Sequence, residues 1–171
     1  SLSEFNNNLK LSNFSNDLSL SNFSNNAIAM ATAYTTTANI TGGKDIDMSS
    51  ITEKDSVGVF SRARYNSSYG YGILCSKAGY YLVSAHANLA ETTSGNTTTI
   101  AIRKVTGGTS TFLARATQYH GYGTGNGYCV NIEPMVVYLE ANSYLSLYNS
   151  DSGSKTNGSN GCHLTAVYLG I

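Results

Sequence analysis

Along most of the chain, apolar and polar residues alternate with a period of two. From Gly79 the sequence reads GYYLVSAHANL, from Thr97 TTTIAIRKV, from Thr111 TFLARATQY, from Tyr144 YLSLYNS and from His163 HLTAVYLGI. Successive side chains of a strand point to opposite faces, so each segment offers one apolar face and one mixed face. VGVFSRARY from Val57 and EPMVVYLEA from Glu133 add two more strands, and AIAMATAY from Ala27 alternates in the same way. Turn-forming clusters separate them, among them the glycine pair at Gly107 and SDSGSKTNGSNG from Ser150. No window keeps the 3.6-residue period of an amphipathic helix. Many short strands without a helix predict an all-β protein, an antiparallel sandwich or barrel.

The first 26 residues follow a different rule. In a nine-residue register Leu2, Leu11 and Leu20 share one column, Phe5, Phe14 and Phe23 a second, and Asn7, Asn16 and Asn25 a third. Phe5, Leu9, Phe14, Leu18 and Phe23 are spaced four and five apart in turn, which neither a helix nor a heptad keeps on one face. A unit with two or three apolar groups cannot bury them alone. The repeat therefore predicts a β-type shaft in which copies stack and several chains wrap together. Residues 1–26 form this shaft segment and residues 27–171 the globular knob.

Composition narrows the function classes. The chain has 171 residues, 41% hydrophobic and only 12% charged, with ten basic residues against ten acidic ones. A net charge of zero leaves no electrostatic footprint for nucleic acid or an anionic membrane, and no apolar run approaches the ~20 residues that span a bilayer. Membrane insertion is not expected, and no secretory leader is visible. Serine, threonine and asparagine number 23, 18 and 18, so hydroxyls and amides carry the solubility. Cys75, Cys129 and Cys162 show no metal spacing, and a reducing compartment predicts three reduced, mostly buried thiols.

The order of motifs resembles the jelly-roll head of the complement globular-head and tumour necrosis factor superfamily. Gly79, Tyr81 and Val83 match its G-x-Y-x-[FV] strand, Leu139 to Leu147 its apolar strand, turn and L-x-L strand, and Thr165 to Ile171 its terminal strand. The resemblance implies a compact homotrimer on an elongated stalk, with Tyr81, Tyr138, Tyr148 and Tyr168 facing the threefold axis and Phe5, Phe14 and Phe23 packing along the shaft. The repeat also resembles those of phage and prophage tail fibres. That likeness implies the tip of a virion tail fibre, made in the bacterial cytoplasm and acting outside the cell.

Candidate chemistry is sparse. His86, His120 and His163 lie far apart in sequence, and no nucleophile elbow, zinc-protease or phosphate-loop motif occurs. Asp45 and Asp47 could face a calcium ion, but two acids one residue apart read more simply as a solvated turn. No metal, cofactor or catalytic residue is expected. Tyrosine carries the remaining signal: QYHGYGTGNGY places Tyr119, His120, Tyr122, Asn126 and Tyr128 among four glycines, and Tyr69 and Tyr71 form a second patch. Rings and amides on glycine-rich loops suit a sugar, whose C–H face stacks on a ring while its hydroxyls meet amides. The sequence thus predicts a non-catalytic homotrimeric head that attaches to a host cell-surface polysaccharide. A purely structural trimerisation cap and a glycan-degrading tail enzyme are the alternatives.

Overall fold

The computed structural model describes residues 29–35, 39–55, 58–91, 97–119, 127–151 and 155–171. The predicted shaft, with Phe5, Phe14 and Phe23, lies outside the described residues, as do His120, Tyr122 and Asn126. The described residues form strands alone: β1 (Met30–Thr35), β2 (Asn39–Ile40), β3 (Lys44–Asp45), β4 (Ser50–Lys54), β5 (Phe60–Ala63), β6 (Gly72–Cys75), β7 (Gly79–Glu91), β8 (Thr97–Thr106), β9 (Thr109–Tyr119), β10 (Gly127–Leu139), β11 (Ser143–Asn149) and β12 (Lys155–Gly170). They build two antiparallel sheets. The first runs β10-β7-β12-β1-β4 with β2 against β12, and the second runs β5-β6-β11-β8-β9 with β3 against β11. The result is the antiparallel sandwich that the alternation predicts, and the crossovers between sequence-distant strands make it the jelly roll that the resemblance implies.

Alternation builds the core. On β7 Tyr81, Val83, Ala85, Ala87 and Leu89 point inward, and on β12 Cys162, Leu164 and Ala166 do so. The second sheet answers with Ile73, Ile100, Ile102, Leu145 and Leu147, all in one buried cluster. Small residues are frequent in the first set and large ones make up the second, so the two inner faces complement one another in one buried cluster.

Two strands are longer than their sequences predict. β10 begins at Gly127 and β12 at Lys155, inside stretches rich in turn formers. Their partner explains this, since β7 runs for 13 residues and pairs Ala90 with Gly127 and Glu91 with Lys155. A long central strand offers backbone donors and acceptors that recruit weak strand formers. Tyr128 accordingly stands in β10 opposite Leu89, not in a loop. Gly79 has a separate role: at φ 150°, a Cβ there would lie 2.6 Å from the Gly170 carbonyl oxygen and 2.7 Å from the Tyr168 ring. Only glycine fits the start of this strand.

The thiols correct one expectation. Cys75 and Cys162 are buried, but Cys129 is exposed. It alternates with inward-facing Val130 on β10, so parity turns it away from the core.

Candidate functional site

The outward face of the first sheet is organised in cross-strand rows. Strand register aligns Val136, Leu82, Val167 and Met30 in one row, flanked by the pair Tyr138 and Tyr80. These side chains are apolar and only partly covered: Val136 is 58% exposed, Tyr80, Tyr138 and Met30 are also exposed, and Leu82 and Val167 are half-buried. The Tyr80 and Tyr138 rings meet edge to face at 5.4 Å. The next row is hydroxylic, Ser84, Thr165, Thr32 and Thr52, with Thr32 and Thr165 hydroxyls 3.1 Å apart. Beyond it stand Asn131, His86, His163 and Tyr34. His86 Nδ1 and Asn131 Oδ1 are 2.7 Å apart, and the amide oxygen accepts, so Nδ1 carries the proton. The His86 and His163 rings lie 6.0 Å apart, and Tyr34 stacks on His163 at 6.2 Å. Separation in sequence hid this pair; the register of β7 against β12 creates it.

A groove of about 340 Å³ opens beside these histidines, lined also by Glu133, Pro134 and Thr165. Its origin is the register shift between Ile132 and Met135, where β10 bulges around Glu133 and Pro134. Proline cannot donate to a ladder, so the strand bends away from its neighbour there.

The outward face of the second sheet differs in kind. Segments of the same chain lie over it, held by side-chain hydrogen bonds: Tyr148 donates to the Gly43 carbonyl at 2.7 Å, Ser146 to Asp45 Oδ1 at 2.8 Å, and Tyr144 to the Gly70 carbonyl. Arg103 pairs with Asp45, the two side chains being 14% and 1% exposed. Burial raises the Asp45 carboxyl above its usual range, against the opposing pull of Arg103 and Ser146. Asp47 accepts a hydrogen bond from the Tyr71 backbone N–H at 2.7 Å. The two acids are therefore an ion-pair partner and a turn cap. Among the described residues no three of His, Cys, Asp and Glu gather as metal ligands.

All four arginines of the chain lie over aromatic rings. Arg103 sits between Tyr69 at 4.3 Å and Tyr148 at 4.9 Å from the ring centres. The stack continues from Tyr148 to Phe112 at 5.2 Å and from Phe112 to Arg115 at 4.3 Å. At its other end Tyr65 meets Tyr69 edge to face at 5.5 Å. Beside it, Arg62 and Arg64 flank Tyr71 at 3.7 and 5.2 Å. Tyr69 and Tyr71 thus belong to arginine–aromatic clusters, a partner the sequence reading missed although SRARY adjoins the tyrosine patch. Tyr119 is 66% exposed at the end of β9.

The four strand tyrosines do not share one face. Tyr138 alone among them stands on the outward face of the first sheet. Tyr81 is 0% exposed, donates to the Lys77 carbonyl at 2.6 Å and packs on Phe60 and Tyr168, so its ring is consumed by the core. Tyr168 is half-buried against Tyr81 and donates to the Ala78 carbonyl at 3.3 Å. Tyr148 belongs to the second sheet. Parity explains the correction: Tyr81 shares the inward phase of Val83, which leaves the outward position to Tyr80.

No family model matches the sequence, and no curated protein matches it. Solved structures do match in fold. Eiger, a tumour necrosis factor from S. frugiperda, superposes with a TM-score of 0.62 at 14% identity, over 82% of this chain and 91% of that one. Murine APRIL at pH 8.5 gives 0.56 at 13% identity, over 83% of this chain and 98% of that one. The described strands therefore have the jelly-roll fold of the tumour necrosis factor proteins.

Proposed function

We propose that the chain is a non-catalytic homotrimeric binding head that attaches to a cell-surface glycan, at the tip of a phage or prophage tail fibre with residues 1–26 as its shaft. The observation that carries the trimer is the apolar row Val136, Leu82, Val167 and Met30, exposed at Val136 and Met30 and half-buried between them, beside the exposed Tyr80 and Tyr138. Contiguous apolar surface of this kind marks an association site, and three copies around a threefold axis each cover the same patch. The tumour necrosis factor fold supports that arrangement.

Glycan attachment draws support from partly exposed rings away from the apolar row: Phe112 on β9, Tyr65 just after β5, and Tyr119. Three identical sites on one trimer raise a weak sugar affinity by multivalency. The non-catalytic part of the reading draws support from the fate of the reactive groups. Asp45 is held by Arg103 and Ser146, while burial pushes the Cys75 and Cys162 thiols up to about 12, so neither is a thiolate at neutral pH.

A glycan array probed with the purified chain tests the proposal. Selective retention of a saccharide without release of reducing ends supports it. Silence across neutral and charged glycans by an intact trimer favours a structural cap, and release of reducing ends from a host wall preparation favours an enzyme.

A further inference from the structure

Arginine placement in this chain is selective. The four arginines all meet aromatic rings, whereas the cation–π contacts among the described residues involve no lysine. Two of the four are committed to the fold: Arg103 to Asp45, and Arg62 through Nε to the Met48 carbonyl at 2.8 Å. Arg64 and Arg115 are not. Both are exposed, and among the described residues neither has a carboxylate partner. Each is nevertheless held, Arg64 over Tyr71 and Arg115 over Phe112.

A guanidinium held over a ring loses little further freedom on binding and keeps its N–H donors for a planar, two-oxygen acceptor. Carboxylate and phosphate oxygens match that fork, and hydroxyls match it less well. The rings beside the two arginines add a second feature. Tyr65, next to Arg64 in sequence, is 43% exposed, and Phe112 under Arg115 is 41% exposed. The Phe112 face toward Arg115 is taken by the guanidinium, so what each region adds is a partly exposed ring that a sugar can meet at its open side.

We infer that the arginine–aromatic clusters around Arg64 and Arg115 bind an anionic polysaccharide, one bearing carboxylate or phosphate groups along a sugar chain. The inference rests on the reading of the chain as a glycan-binding head and names the class of glycan. A polymer with anions spaced along sugars fits two preset guanidiniums better than duplex nucleic acid does. Nucleic acid carries a charge every ~1.7 Å and draws on broad positive potential, which a chain of net charge zero does not supply.

The test is binding of the full chain to immobilised polygalacturonate, poly(glycerol phosphate) and uncharged dextran, with a single-stranded DNA oligonucleotide of matched charge as control. Expected is retention of one or both anionic polymers at least tenfold above dextran and DNA, weakened by added salt. Preference for polygalacturonate or for poly(glycerol phosphate) tells carboxylate from phosphate as the source of the anion. Arg115→Ala and Arg64→Ala should each lower that binding by about tenfold, Arg115→Lys should restore it only in part, and circular dichroism melting should stay at the parent value. Equal binding of dextran and the anionic polymers, unaffected by both arginine variants, overturns the anionic assignment and leaves the glycan-binding head standing. DNA binding as tight as that of either polymer overturns the saccharide assignment. Absence of binding to these polymers and to a broad neutral glycan array overturns both readings together.

Discussion

The two sheets of this sandwich treat their outward faces in opposite ways. Over β11 the second sheet is tied to its own chain, with Gly43, Asp45 and Gly70 accepting hydrogen bonds from Tyr148, Ser146 and Tyr144 and an arginine between tyrosine rings, while Phe112 on β9 stays 41% exposed. The first sheet leaves Val136, Tyr138, Tyr80 and Met30 in water. Polar and charged groups that need fixed partners are tied down over β11, while one row of the bare face, Val136, Leu82, Val167 and Met30, carries side chains that need only exclusion of water. A face that demands exact hydrogen-bond geometry is served within one chain, and under the proposed trimer the apolar row is the part left for a second copy.

The largest effect that could break this contrast is a charge on the bare face. Val136→Glu should weaken trimer assembly at least a hundredfold while leaving the circular dichroism spectrum unchanged, because a carboxylate cannot be buried unpaired between copies. The matching change on the other sheet, Phe112→Glu, should leave the mass untouched. Light scattering of both variants reads the difference. If the two substitutions act alike on assembly, the faces are not specialised as described.

The covered face should respond in stability. Asp45→Asn strands Arg103 beneath its covering segment and should cost about 3 kcal/mol in a urea melt. Replacing both partners, Asp45→Leu with Arg103→Met, should recover most of the loss, since two well-packed apolar groups need no compensation. Gly79→Ala, at the start of the strand shared by core and bare face, should cost about 2 kcal/mol, because its Cβ meets the Gly170 backbone at positive φ.

A smaller effect comes from the core between the faces. Burial raises the Cys75 and Cys162 thiols from 9.0 to about 12, so in this range the folded chain holds protons that the unfolded chain releases. Stability should therefore fall as pH rises from about 9 to 12, and a Cys75→Ala, Cys162→Ala variant should show a shallower fall in urea midpoint. Smallest of all is reactivity. Cys129 should be alkylated in a monomeric Val136→Glu background while Cys75 and Cys162 stay unlabelled until unfolding, as mass spectrometry of the modified chain would report.

The strands of this fold were legible because alternation survives in GYYLVSAHANL and HLTAVYLGI. Phase was legible too, since Val83 and Ala85 are plainly inward and fix Tyr81 with them; the resemblance grouped four tyrosines on one face, whereas Tyr138 alone stands on the bare face and Tyr81 is buried in the core. Strand extension at Gly127 and Lys155 was not legible, because it depends on what β7 offers across the sheet. The same holds for the juxtaposition of His86 with His163 and of Asp45 with Arg103. Register between strands far apart in sequence makes both pairs, and no local pattern encodes it. Tyr69 and Tyr71 were readable as a patch, and Arg62 and Arg64 lie close to it in sequence, but Arg103 reaches Tyr69 only through the fold.

The account turns on whether the bare face of the first sheet is covered by copies of the same chain. Light scattering on the full chain at micromolar concentration answers this directly. The predicted species has three times the 18.1 kDa chain mass, and a stable, folded monomer at that concentration would contradict the account.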